Sequence, residues 1–158
     1  MNTIKIRSAR RADAEAIAAL ANILGQWILD CDSRTTARDV LRYAFEPKRW
    51  CDILVACDDR KIVGYALYRH FFEGFTGERR MFLSDLAVAP DARRSGVGET
   101  LMQAVARDAL KLDCDVITWE CSDRNQVAMS FYDKLDADRI DQVVTLAIDR
   151  NRIESLAG

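Results

Sequence analysis

The chain has 158 residues, 49% of them hydrophobic and 30% charged, a balance that excludes a disordered or collagen-like chain and predicts one domain over 1–158 with a substantial core. A formal net charge of −2 argues against nucleic-acid binding, no apolar run reaches the roughly 18–20 residues of a membrane span, and the opening Met-Asn-Thr-Ile-Lys-Ile-Arg has no signal-peptide apolar region. Five cysteines without a C-x-x-C pair and a lone His70 predict reduced thiols in the cytoplasm and no metal site.

In chain order, Ile4 and Ile6 alternate with Lys5 and Arg7, which predicts a strand over 3–8. Ile17, Leu20, Ala21 and Leu24 recur at helical spacing over 11–24, with Gly25 placed to end or loosen that helix. A second helix is expected at about 36–45, capped by Thr35 or Thr36 and closed by Pro47. Residues 52–58 and 61–71 read as a hairpin turning at Asp58-Asp59-Arg60. The stretch Phe71–Gly77 reads as an aromatic-rich loop, serving either as core cover or as pocket lining. A strand over 80–89 follows, then a helix over 97–112 with Val97, Leu101, Ala104, Val105 and Leu112 on one face. Strand 115–121, helix 125–135 and a final strand at 142–148 complete the chain, with Cys57 and Cys121 as small core residues on strands. The order βααβββαβαβ implies an α/β (α+β) fold, a mixed sheet with helices on its faces.

The segment Ser84–Gly98 carries the most chemistry. Arg93-x-x-Gly96-x-Gly98 lies where a strand turns into a helix. Such a turn leaves backbone N–H groups unpaired at a helix N-terminus, its glycines admit close approach, and the helix dipole favours an anion. The same residues also suit an ordinary turn with a solvated basic patch. On the later helix, Asn125 and Tyr132 are seven residues apart, so they share a face and lie about 10 Å apart along the axis. With Ala128 and Met129 on that stripe, a long thin ligand can lie alongside. Asn125 fits equally well as a helix N-cap, and Tyr132 as a half-buried packing residue.

Leu83–Met102 together with Asn125–Ala137 resembles the GNAT acyltransferase superfamily, whose members transfer an acyl group from acyl-CoA to an amine. Within it the likeness is to the diamine (spermidine/spermine-type) acetyltransferases, whose pattern Thr36–Phe45 and the aromatic stretch also follow. The resemblance spans about residues 3–149. It implies a GNAT-like, mostly antiparallel sheet of six to seven strands with about four helices, acetyl-CoA (CoA) as cosubstrate, and a small-molecule primary amine as acceptor. A polyamine, diamine or amino-acid-like compound is expected ahead of protein N-termini. Relatives of this kind are commonly dimers, which points to a homodimer.

Carried over residue by residue, the resemblance implies that the backbone of Arg94, Ser95, Gly96, Val97 and Gly98 holds the CoA pyrophosphate. Arg93, Arg94 and Arg124 are near enough in sequence to reach its oxygens. The pantetheine arm is expected between strands 80–89 and 115–121, paired with main chain at Leu86 and Val88. A bulge near Asp85–Ala87 is expected to turn the N–H of Ala87 toward the thioester carbonyl. Asn125 and Tyr132 fall at cofactor positions, with Tyr132 as proton donor to the departing thiolate.

The chain departs from the diamine pattern at Leu83-Ser84-Asp85, where those enzymes show Leu-Glu-Asp. Ser84 cannot act unaided as a base near neutral pH. Asp85, Glu120, a water held by Ser84 and a carboxylate, or free amine from solution remain as routes, with Asp85 ahead of Glu120. Trp27, Asp30, Phe72 and Asp85 are the candidate substrate contacts, Asp30 matching an acidic position of the subgroup and Trp27 replacing another. The missing Glu equally suits a second reading, a CoA-binding regulatory module that has lost catalysis. A mononucleotide-binding protein is disfavoured, since the turn lacks the Gly-Lys-Ser/Thr of a P-loop.

Overall fold

Alternation of apolar and polar residues builds a five-stranded sheet in the spatial order β1 (Lys5–Ser8), β2 (Asp52–Asp58), β3 (Lys61–Glu73), β4 (Glu78–Val88) and β5 (Val116–Trp119). β1 to β4 are antiparallel neighbours, and β5 runs parallel to β4 after the crossover through α3 (Val97–Lys111). The computed structural model describes residues 4–29 and 34–158, in two units, Met1–Glu120 and Cys121–Gly158. The first unit holds the sheet with α1 (Ala14–Leu29), α2 (Ala37–Phe45) and α3; the second holds α4 (Gln126–Asp133) and α5 (Arg150–Ala157). Among the described residues, no helix is long and apolar enough to cross a membrane.

The sheet of the first unit is buried on both faces. Ile17, Leu20, Val40 and Ala44 of α1 and α2 pack on Ile53, Val55, Cys57, Tyr65 and Ala87. On the other face lies α3, with Val97, Leu101, Met102, Ala104, Val105 and Ala109 buried. Leu112, expected on that stripe, caps the helix and is 41% exposed. α1 continues past Gly25 to Leu29, since one glycine inside a helix costs only about 1 kcal/mol and does not by itself end it. Thr36 caps α2, accepting from the Asp39 N–H at 3.2 Å while the Asp39 carboxylate accepts from the Thr36 N–H at 3.0 Å. Asp13 ties the start of α1 to β1, accepting from both Arg7 nitrogens at 2.6 and 2.9 Å and from the Arg10 N–H at 2.7 Å.

Gly64 sets how close α3 comes to the sheet. A Cβ there would stand 2.8 Å from the Ala87 carbonyl oxygen and 3.2 Å from side-chain atoms of both Leu101 and Val97. Gly64→Ala should therefore cost about 1–3 kcal/mol of stability, read as a lower midpoint in urea denaturation. An unchanged midpoint would mean that the helix start is not held this tightly.

Three expectations need correction. Phe71 and Phe72 are not loop residues: β3 runs on to Glu73 and pairs them with Arg80 and Arg79 before Gly77 (φ +76°) turns the chain. Aromatic residues favour the extended state, and with Phe72 67% and Phe75 85% exposed they are not core cover. Residues 142–148 form no strand, so the sheet has five strands rather than six to seven. The regular elements of their unit are α4 and α5, which offer no ladder partner, and Val144 and Leu146 stay 78% and 88% exposed. Cys121 lies beyond the end of β5 and is half-buried, whereas Cys57 is a core residue of β2 as expected.

Candidate active site

Ser84 is an extra residue in β4. Asp85 pairs with Leu67 and Leu83 with Tyr68, so the register shifts across Ser84, which is left opposite no residue of β3. The bulge thus sits just before the Asp85–Ala87 stretch where it was expected. It resets the alternation, leaving Ser84 exposed and Asp85 directed, with Ala87, to the face covered by α1 and α2. β5 pairs only with Arg80–Leu83, so β4 beyond the bulge has no β5 partner. The β4–β5 ladder thus ends at Leu83, just before the bulge.

The Ala89 N–H donates to the Val63 carbonyl on β3 at 2.8 Å. Alternate residues of a strand aim their polar groups to opposite edges, so those of Ala87 also face β3, while those of Leu86 and Val88 face the open edge. The guanidinium of Arg93 donates to the Val88 carbonyl at 3.3 Å, consistent with that direction. The expected role of the Ala87 N–H is therefore corrected. Its hydrogen-bonding edge is turned into the sheet, and Leu86 offers the N–H nearest the bulge on the open edge.

Beyond β4, a short 3-10 turn at Pro90–Ala92 leads to two residues with left-handed backbone, Arg94 (φ +61°) and Gly96 (φ +84°). Gly96 is the N-cap of α3, and a Cβ built on it would meet nothing within 4 Å. Left-handed residues one apart turn successive N–H groups into a shallow anion-accepting concavity. The first N–H groups of α3 (Val97, Gly98 and Glu99) have no acceptor within their own helix and add the dipole's positive end. The Ser95 hydroxyl donates to the Ala92 carbonyl at 2.6 Å, which tightens the turn. Arg94 is exposed beside it.

The Asp85 carboxylate accepts a hydrogen bond from the Tyr65 phenol at 2.8 Å. Burial raises the Asp85 pKa above the ordinary carboxylate value, and the Tyr65 hydrogen bond opposes that rise. Burial, Asp52 and Asp85 push the nearby Cys51 thiol up to about 11, so it stays neutral. Glu120 is exposed at the end of the first unit, just past β5.

In the second unit, Asn125 is the N-cap of α4, its side-chain oxygen accepting from the Ala128 N–H at 3.1 Å. Tyr132 lies two turns on, half-buried, its ring 5.2 Å from that of Phe131. Burial, with a smaller effect from Cys121, pushes its phenol up to about 12. Arg124 is exposed, its N–H donating to the Ser122 hydroxyl at 3.3 Å. Of the substrate candidates, Asp30 lies outside the described residues and Trp27 is described only as part of the α1 backbone.

Two features were not anticipated from the sequence. One is Tyr65, for which the signal was a phenol within the apolar run Ile62–Leu67, since a buried phenol needs an acceptor. The other is the left-handed Arg94, which no residue-type preference marks.

The site thus joins a bulged strand, a turn with two left-handed residues and the N-terminus of α3. Residues 18–137 match the model of the acetyltransferase (GNAT) family, and the chain belongs to that family. It is an acetyltransferase by this membership and by its curated relatives. It is 28% identical over 146 residues to the thialysine N-epsilon-acetyltransferase of Sus scrofa, covering 87% of this chain and 85% of that protein. It is 29% identical over 96 residues to the L-ornithine N5-acetyltransferase NATA1 of Arabidopsis thaliana, covering 61% of this chain and 39% of that protein. In fold it is similar to the integron cassette protein VCH_CASS6 of V. cholerae (TM-score 0.82, 22% identity, 99% of each chain). It is also similar to an aminoglycoside acetyltransferase, meta-AAC0020, from an uncultured soil metagenomic sample (TM-score 0.75, 18% identity, 92% of this chain and 95% of that one).

Proposed function

We propose that this acetyltransferase transfers an acetyl group from acetyl-CoA to a terminal primary amine of a small diamine or diamino acid, with residues 1–158 acting as one domain. The observation that carries the reading is the pair of left-handed residues, Arg94 and Gly96, leading from the open edge of β4 into the start of α3. The donor set suits a diphosphate, with N–H groups from Ser95 to Gly98 for the oxygens, Arg93 and Arg94 for the charge, and open space at Gly96. Leu86 and Val88 supply the main-chain groups for the amides of the pantetheine arm. Acetyl-CoA, when bound, supplies an activated thioester.

The chain's own groups then meet the demands of amine acetylation. Asp85 accepts the proton that the amine must lose before attack. Burial raises its pKa toward the working range of a general base, which favours it over the exposed Glu120. Ser84 is suited to holding a water rather than to taking the proton itself. The Leu86 N–H donates to the thioester oxygen as negative charge builds there. As the C–N bond forms and the C–S bond breaks, the Tyr132 hydroxyl donates a hydrogen bond to the departing sulfur, and the extra proton left on the new amide nitrogen ends on that sulfur, giving the neutral amide and the free CoA thiol.

The choice of acceptor is supported by two relatives whose names specify acetylation at a terminal side-chain amine, thialysine N-epsilon and ornithine N5. Thiol release from acetyl-CoA, with mass spectrometry of the product, should be measured for thialysine, lysine, ornithine, spermidine and an aminoglycoside. A gain of one acetyl group on the diamino acids or the polyamine is expected. Transfer to the aminoglycoside alone, or to none of them, would contradict the reading.

A further inference from the structure

We propose that Tyr65 is a positioning residue for the acetyl transfer, fixing Asp85 through a phenol-to-carboxylate hydrogen bond so that the remaining carboxylate oxygen accepts the amine's proton. This rests on the reading of Asp85 as the base. Tyr65 is fully buried, and its ring belongs to the cluster in which α1 and α2 pack on the sheet. Its backbone pairs with Ala87, and Asp85 pairs with Leu67, so Tyr65 and Asp85 are diagonal neighbours on one face of adjacent strands. A ring held in a packed core can present its hydroxyl in essentially one direction. That direction is toward Oδ2 of Asp85, at 2.8 Å.

The bulge makes this contact. Were Ser84 in register with β3 instead of bulged, alternation from Leu83 would send Asp85 to the opposite face, away from Tyr65. The serine at the position where the diamine pattern carries Glu and the tyrosine beneath Asp85 thus belong to one arrangement. It moves the proton-accepting role one residue along β4 and supports the new carboxylate from inside the core. Burial and the Asp85 charge both push the phenol pKa strongly upward, so Tyr65 remains a donor throughout the working pH range.

Among the described residues, the ionisable groups facing Asp85 are the Tyr65 phenol on β3 and the Cys51 thiol just before β2, the latter held neutral. α1 and α2 bring apolar Ile17, Leu20, Val40 and Ala44 to the same face. The Tyr65 hydrogen bond therefore opposes a burial cost that would otherwise leave the carboxyl protonated at higher pH.

The test compares wild type with Tyr65→Phe, with fluorotyrosine at position 65, and with Asp85→Asn. The readouts are kcat/KM against pH and, separately, the carbon-13 titration of the Asp85 carboxyl group. Removing the donor should move the acid limb and the carboxyl titration upward by about one pH unit. Fluorotyrosine, of the same shape but a stronger donor, should move both downward, and it keeps the test decisive if the phenylalanine variant does not fold. Asp85→Asn should lower kcat/KM at least a hundredfold. If Asp85→Asn is inactive but neither Tyr65 change moves the limb or the titration, Tyr65 only packs and the inference is overturned. If Asp85→Asn keeps the wild-type rate and acid limb, the assignment of the base fails, and the positioning role fails with it.

Discussion

Replacing Tyr132 by phenylalanine should lower kcat roughly 10- to 100-fold while leaving KM for acetyl-CoA within about twofold, the loss of one charge-assisted hydrogen bond made only as the sulfur departs. The size follows from the state of the phenol. Burial pushes Tyr132 up to about 12, whereas a free thiol titrates at about 8.5. Full transfer of the proton to the sulfur is thus uphill by about 3.5 pKa units. On the proposed reading, Tyr132 would act chiefly by donating a hydrogen bond to the developing thiolate, with the proton exchanged after the C–S bond has broken. With a pKa near 12, the phenol stays protonated across ordinary assay conditions. No fall in kcat below about pH 11 should therefore trace to it. Steady-state kinetics from pH 6 to 11 on both proteins provide the check. An unchanged kcat in the phenylalanine variant would remove Tyr132 from the chemistry.

The second large effect is expected at Gly96. Its φ of +84° is costly for most side chains, and a Cβ there would point into space free of protein atoms within 4 Å. Asparagine tolerates the left-handed region better than other residues, so Gly96→Asn should keep the backbone while filling the concavity. The Kd for CoA should rise at least tenfold, about 1.4 kcal/mol, with kcat at saturating cofactor close to wild type. Gly96→Val adds backbone strain to the same obstruction, so it should lower the melting temperature as well. Calorimetric titration with CoA and thermal denaturation separate the two contributions. Wild-type affinity in the asparagine variant would mean that nothing approaches the turn closely.

The parts of the fold governed by local pattern were legible in advance. The helical spacing of Ile17 and Leu20, the Thr36 cap and the β2–β3 hairpin all follow from residue type and position. The turn before α3 was legible for the same reason, since Gly96 marks a backbone conformation that few other residues adopt. What the pattern could not reveal depends on partners distant in sequence. The alternation in Gln142–Ile148 resembles a strand, but a strand exists only where another edge accepts it. The register across Ser84 is set by which β3 residues it faces, and that register decides that Leu86 rather than Ala87 presents its N–H to the open edge. Tyr65 and Asp85 are 20 residues apart, and only the pairing of β3 with β4 makes them one unit.

The proposed acetyl transfer requires above all that the backbone amides at the start of α3 receive the diphosphate of CoA. The most direct measurement is a nitrogen-15 amide spectrum of the whole chain, followed residue by residue as CoA is added. The largest shifts should fall on Ser95, Gly96, Val97 and Gly98, and they should saturate together with those of Leu86 and Val88. Saturable binding that leaves the amides of residues 95–98 unmoved would contradict it.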